Sequence, residues 1–158
     1  MVDAPVLRDP CADEPARIGD VVLTDVSHLP KWKTWHDQHK VPIGRSYRVG
    51  DDLIFAVSPG EWLVVGSEPA SDHVDLTHVR AMLRIGGPDA RHLLSHVCGL
   101  DLSDLMTPDG SVARTLVSGV VTELVREDRD GHPAYLLLMS RSFARSVWDH
   151  LIDLAEDA

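Results

Sequence analysis

The chain lacks most of the patterns that announce a chemistry. It has two cysteines in 158 residues, Cys11 and Cys98. Two are too few and too far apart for a zinc ribbon or a disulfide framework, so both are expected as reduced thiols. Neither a P-loop nor a GxGxxG turn occurs, so no self-sufficient nucleotide signature is present. GxSxG and HExxH are missing too, which removes the usual cues for an α/β-hydrolase and a zinc protease. Aromatic residues make up 5%. The apolar runs at 53–57 and 135–139 fall far short of the roughly 20 residues that a spanning helix needs. The start, Met1-Val2-Asp3-Ala4-Pro5, is neither basic nor apolar, so a cytoplasmic protein is expected. Positive charge is scarce: 15 Lys and Arg against 25 Asp and Glu give a net charge of −10. Such a chain repels phosphate backbones and anionic lipid, so neither nucleic acid nor a membrane is expected as a partner.

What remains is an ordinary globular composition, with 44% hydrophobic and 25% charged residues. That excludes disorder throughout, collagen and coiled coil. Pro5, Pro10 and Pro15 sit among acids and small residues, so residues 1–17 are expected to form a flexible tail. Residues 18–158 then form a single domain. Short strands are expected at 21–23, 31–35, 44–49, 53–58 and 61–66, the last two joined by the turn pair Pro59-Gly60. Trp32 and Trp35 are candidate anchors, but three residues apart they cannot share a strand face. Residues 68–72 read as a polar connection.

The second half is written more clearly. A strand is expected over 78–86, with Val79, Ala81, Leu83 and Ile85 on one face. Gly87-Pro88 opens a helix over 88–97, with Ala90, Leu93, Leu94 and Val97 as its apolar stripe. Strands at 111–118, 119–126 and 134–140 are split by the turns Ser118-Gly119 and Asp130-Gly131. A last helix over 142–155, capped by Ser140 or Ser142, buries Phe143, Val147, Trp148, Leu151, Ile152 and Ala155 on one face. The class is α+β: antiparallel sheet with few helices, both helices on one face. Asp25-Val26-Ser27-His28-Leu29 recurs as Asp75-Leu76-Thr77-His78-Val79, which suggests two related halves, the first with a lost or shortened helix.

Few residues stand out chemically. His92 and His96 share a helix face, yet Arg91 and Ser95 beside them favour a solvated surface over a metal site. His28, His36 and His39 gather around Trp32 and Trp35 as a mixed surface loop. Asp51-Asp52 and Asp101/Asp104 fall in turns, where Asp bonds the backbone. Arg114 interrupts an apolar strand, so its charge must face water or an anion.

Longer stretches carry a resemblance. Asp75-Leu76-Thr77-His78, the strand ending Arg84-Ile85, and Gly87-Pro88-Asp89-Ala90 opening a helix resemble the folate-binding fold of the glycine-cleavage T-protein, an aminomethyltransferase. Cys98-Gly99-Leu100-Asp101-Leu102, Val112-Ala113-Arg114-Thr115, Ser140-Arg141-Ser142-Phe143-Ala144 with Trp148, and the stretch from Ser58-Pro59-Gly60-Glu61-Trp62 to Gly66 resemble the gamma subunit of heterotetrameric sarcosine oxidase. The resemblance spans about residues 50–155 and weakens over 20–49. It implies a non-catalytic accessory subunit of a flavin-dependent complex that demethylates sarcosine to glycine, releases hydrogen peroxide and passes a one-carbon unit to tetrahydrofolate. FAD, FMN, NAD and tetrahydrofolate would then sit in partner subunits, with no cofactor, metal or catalytic residue in this chain. The acidic pattern that anchors folate in active aminomethyltransferases has no clear counterpart. The alternative is a stand-alone folate-dependent or one-carbon-ligand protein of the same fold. Its pocket would use Trp62 as an aromatic wall, Arg80 or Arg114 as the cationic group, and His78 nearby.

Overall fold

The computed structural model describes residues 9–36 and 39–158. In chain order the first strands are β1 (Ala16–Ile18), β2 (Val21–Asp25), β3 (Lys31–Thr34), β4 (Ser46–Val49), β5 (Asp52–Ser58), β6 (Glu61–Val65) and β7 (His73–Asp75). Then come β8 (Arg80–Gly86), helix α1 (Ala90–Ser95), β9 (Val112–Val117), β10 (Val120–Arg126), β11 (Tyr135–Ser140) and helix α2 (Ala144–Asp157). Two turns set the C-terminal strands. Ser118-Gly119 has φ of 50° and 78°, and Asp130-Gly131 has 53° and 79°. Positive φ at both central residues is what a tight two-residue hairpin requires.

All strands pair antiparallel in two sheets. One has six strands in the order β1-β2-β8-β11-β10-β9, the other five in the order β4-β5-β6-β3-β7. Alternation along each strand then builds three apolar layers. Ala81, Leu83, Ile85, Leu137 and Leu124 face the helices and meet Leu93, Leu94, Val147, Trp148 and Leu151. Met82, Leu136, Leu138, Val125 and Val112 point the other way and meet Leu53, Phe55, Leu63 and Val65 of the five-stranded sheet. On that sheet's outer face Ile54 and Val64 lie under Val41, Trp32 and Trp62. Leu53, Ile54, Phe55 and Ala56 are all buried, so β5 is covered on both faces.

The five-residue echo marks how the sheets are joined. Asp25 ends β2 and Asp75 ends β7, and the chain then crosses to the other sheet. Each aspartate accepts a backbone N–H two residues on: Ser27 N to Asp25 Oδ1 at 3.0 Å and Thr77 N to Asp75 Oδ1 at 2.8 Å. Each hydroxyl then accepts an N–H from the opposite half, Met82 N to Ser27 Oγ and Lys31 N to Thr77 Oγ1, both at 3.0 Å. Val26 N donates to Met82 O at 2.9 Å and Leu76 N to Lys31 O at 2.8 Å. The two crossovers are therefore the same device used twice. The strand order repeats as well: β4-β5-β6-β3-β7 maps onto β9-β10-β11-β8-β2. The two halves share a topology, and only the second has a helix, α1, after its first strand; the described residues between β3 and β4 form none.

The structure corrects several sequence expectations. Residues 1–8 of the expected tail lie outside the described residues, but residues 9–17 do not hang free. Ala16 and Arg17 belong to β1, Cys11 N donates to Asp25 Oδ2 at 2.8 Å, and Cys11 and Ala12 pack against the helix-side core. Helix α1 starts at Ala90, not Pro88, because Gly87 takes φ 105° and residues 87–89 form a turn. Val97 lies past its end and is half-buried. Val79 sits in a turn and is exposed. Phe143, expected in the core, is 52% exposed, because a 3-10 turn over Arg141–Phe143 rotates it away from the stripe of α2. Neither Ser140 nor Ser142 caps a helix; their hydroxyls meet each other at 3.2 Å.

Candidate functional site

At one end of the layer between the sheets, the hairpin β9–β10 places Arg114 opposite Glu123, and Glu123 lies opposite Leu138 on β11. Arg80, at the start of β8, points into the same layer. Glu123 is thus held between two guanidiniums. Arg114 donates to Oε1 from Nη2 at 3.0 Å and from Nε at 3.3 Å. Arg80 Nη2 donates to Oε2 and also to Leu138 O. The Glu123 side chain is 4% exposed, against 23% for Arg80 and 51% for Arg114. A carboxylate this buried is tolerated because both oxygens are bonded. The same pairing consumes the arginines, so an incoming anion would have to displace Glu123.

Across the mouth, Lys33 on β3 bridges to Glu61 on β6 at 2.8 Å. That contact, with Arg114 adding, holds the Glu61 carboxyl below the usual range. Farther along the β9–β10 hairpin, Leu116 and Val121 stand opposite each other and point to the same side as Arg114 and Glu123. Their 54% and 58% exposure shows that the five-stranded sheet does not cover them. Exposed Val79 and Phe143 lie at the same end, where Arg141 N bonds Val79 O at 3.1 Å.

Of the four sequence candidates, the structure brings Arg80 and Arg114 together. Trp62 is elsewhere. It sits on the outer face of the five-stranded sheet, donates from Nε1 to Val41 O at 3.2 Å, and lines a hollow of about 240 Å³ with His36, His39 and Glu68. His78 is exposed in the turn before β8. An aromatic wall and a cationic group for a pterin and its acidic tail are therefore not assembled from these residues.

Two groups in this layer escaped sequence reasoning. One is Glu123. The other is Lys31, fully buried at the start of β3, whose Nζ donates to Ser27 O at 2.6 Å and Leu29 O at 2.9 Å. Burial lowers its pKa to about 8. A lysine between Pro30 and Trp32, two residues before another lysine, gives no periodicity signal of its own. Elsewhere, Asp104 joins Arg126 at 2.7 Å and Arg91 at 2.5 Å, which holds its carboxyl below the usual range, while Asp101 accepts Ser103 N in a turn. Both cysteines are free thiols; burial, then Asp25, pushes Cys11 up to about 12. His92 and His96 meet edge to face at 4.8 Å, and no cluster of three or more metal-ligating side chains occurs among the described residues. No helix among them is long and apolar enough to cross a membrane.

The fold that carries this arrangement is a small α+β, T-protein-like domain. No family model matches the sequence, and no curated protein does. Solved structures do match in shape. A chain of heterotetrameric sarcosine oxidase from Corynebacterium sp. U-96, in complex with pyrrole 2-carboxylate, superposes with a TM-score of 0.79 at 18% identity, over 97% of this chain and 96% of that one. The glycine cleavage system aminomethyltransferase T from Bartonella henselae superposes with a TM-score of 0.61 at 14% identity, over 84% of this chain and 45% of that one. This chain spans less than half of the aminomethyltransferase.

Proposed function

We propose that the chain is a non-catalytic, gamma-like accessory subunit of a flavin-dependent sarcosine-oxidase-type complex linked to one-carbon metabolism. The observation that carries this reading is the end-to-end match with a chain of a heterotetrameric sarcosine oxidase, set against a match to under half of an aminomethyltransferase. Two features of the molecule support it. The sequence-predicted cationic pair is neutralised internally by Glu123 rather than held open for a ligand. The strip of Leu116, Val121, Val79 and Phe143 leaves apolar surface in water beside that pair, the kind of surface that a partner chain covers. In this role the chain binds no cofactor; FAD, FMN, NAD and tetrahydrofolate belong to the larger subunits. Amine oxidation needs an electron acceptor that side chains cannot supply.

The test is co-expression with the other subunits of a heterotetrameric sarcosine oxidase from the same organism. The chain should co-purify in fixed stoichiometry, and sarcosine turnover should depend on its presence, while the isolated chain turns over none. Tight binding of tetrahydrofolate by the isolated chain, abolished by Arg80 or Arg114 substitution, would replace this reading with the stand-alone one.

A further inference from the structure

The opposite end of β8 holds a different arrangement. Arg17 on β1 stands opposite Val22 on β2, and Val22 opposite Gly86 on β8. One row along, Thr24 stands opposite Arg84, and Arg84 opposite Leu136. Gly86 has no side chain and its neighbour Ala134 a small one, so the floor is recessed. The result is a hollow of about 270 Å³ walled by Arg17, Arg84 and Arg129, with Asp130 and His132 also lining it. A second hollow, of about 280 Å³, shares Arg84 and Arg129 and adds Arg48.

These arginines are not balanced as Arg80 and Arg114 are. Arg48 is committed to Glu127 at 2.7 and 2.6 Å. Arg129 reaches the same carboxylate from one nitrogen only, at 3.3 Å. Among the described residues, the side chains of Arg84 and Arg17 make no hydrogen bond or ion pair. Burial, then Arg129, holds the half-buried Arg84 guanidinium below its ordinary range, against the pull of Glu127. A half-buried cation without an acceptor is costly, and here it persists in a chain whose net charge is −10.

We infer that this hollow is a binding site for a small oxyanion, a free carboxylate or phosphate group received by Arg84 and Arg17 with Arg129 at the rim. The planar fork of a guanidinium suits two oxygens of one such group. Arg17, Arg84 and Arg129 face Asp130 across the opening, and Glu127 bonds Arg129 from behind, which leaves room for about one negative charge. The volume fits a small acid rather than a dinucleotide. The site lies at the far end of β8 from the apolar strip, so it does not depend on the assembly reading.

The experiment titrates the isolated full chain by calorimetry and thermal melting with inorganic phosphate and, separately, with succinate. Sodium chloride at equal ionic strength is the control. Saturable binding and a raised Tm are expected with at least one oxyanion and not with chloride; which one saturates identifies the ligand class. Arg84→Met should weaken binding about ten-fold or more, the loss of one charge-assisted bidentate contact. Arg145→Gln, on the exposed face of α2, should leave it unchanged. The Arg84 Nε–H resonance should shift during the titration, a readout that needs no variant. Equal Tm shifts in chloride, no saturation with either oxyanion, or an Arg84→Met isotherm that overlays the wild type would overturn the site.

Discussion

Arg80 and Arg84 stand four residues apart on one strand and point into the same layer, yet their surroundings differ. Arg80 meets a buried carboxylate that it shares with Arg114. Arg84 meets two other arginines and no acceptor among the described residues. Lys31, in the same layer, is a third case: it is satisfied by two backbone carbonyls and carries no countercharge at bonding distance among the described residues. The comparison teaches that burial alone does not decide whether a cation is structural. A cation with a bonded, buried partner ties strands of its own sheet together, as Arg80 and Arg114 do through Glu123. One without an acceptor is free to meet something from outside.

Breaking the satisfied end should cost most. Glu123→Ala leaves two guanidiniums facing each other over an apolar layer and is expected to destabilise the fold by about 3 kcal/mol, the lower range for removing one member of a buried pair. Urea unfolding measures it, and an unchanged midpoint would mean that solvent replaces Glu123 freely.

Lys31 gives a pH signature. Its pKa falls from 10.5 to about 8 in the folded chain. Between those values the unfolded chain holds the proton that the folded chain has released, so stability rises with pH, by at most about 1.4 kcal/mol per unit. Cys11, pushed up to about 12 from 9.0, acts in the opposite direction above pH 9. Lys31→Met keeps the Cys11 effect and loses the other. Unfolding curves from pH 7.5 to 9.5 should therefore diverge between the two proteins; parallel curves would place Lys31 in water.

Smaller effects sharpen the contrast. Arg114→Ala removes a half-exposed partner while Arg80 keeps Glu123, and about 0.5 kcal/mol is expected in the same unfolding assay. Arg84→Met removes a charge that has no hydrogen-bond or ion-pair partner among the described residues. It should leave the melting temperature of the anion-free protein unchanged or slightly raised, within about 0.5 kcal/mol in stability. A marked loss would reveal an acceptor for Arg84 in solution.

Much of this contrast was legible in the sequence, though unevenly. The C-terminal strands could be read from Ser118-Gly119 and Asp130-Gly131, because two-residue turns fix both ends of a hairpin. The same turn was enough to find Glu123. With Val117 opposite Val120, three steps back and three forward put Arg114 opposite Glu123. Arg114 stands out by its charge in an apolar strand, and Glu123 sits in one too. The Asp-x-Ser/Thr-His echo was visible, but its role as a paired crossover was not, since its hydrogen bonds go to strands some fifty residues away. Strand β7, three residues with two charged or polar ends, carries too short an alternation to be seen. Phe143 was misplaced because a 3-10 turn advances side chains by a different angle from the α-helix that follows. Trp62 was placed correctly in a strand, but sequence alone does not say which face of which sheet it occupies.

In the proposed role the chain is one subunit of a larger assembly that covers its apolar strip. Size-exclusion chromatography with light scattering tests this directly, using wild type and a Leu116→Glu, Val121→Glu variant, each mixed with the remaining subunits of the sarcosine-oxidase-type complex. Both positions are more than half exposed, so the variant should melt where the wild type does. Wild type should enter the complex and the variant should elute alone; a wild-type chain that elutes alone, or a variant that assembles equally well, would contradict the subunit role.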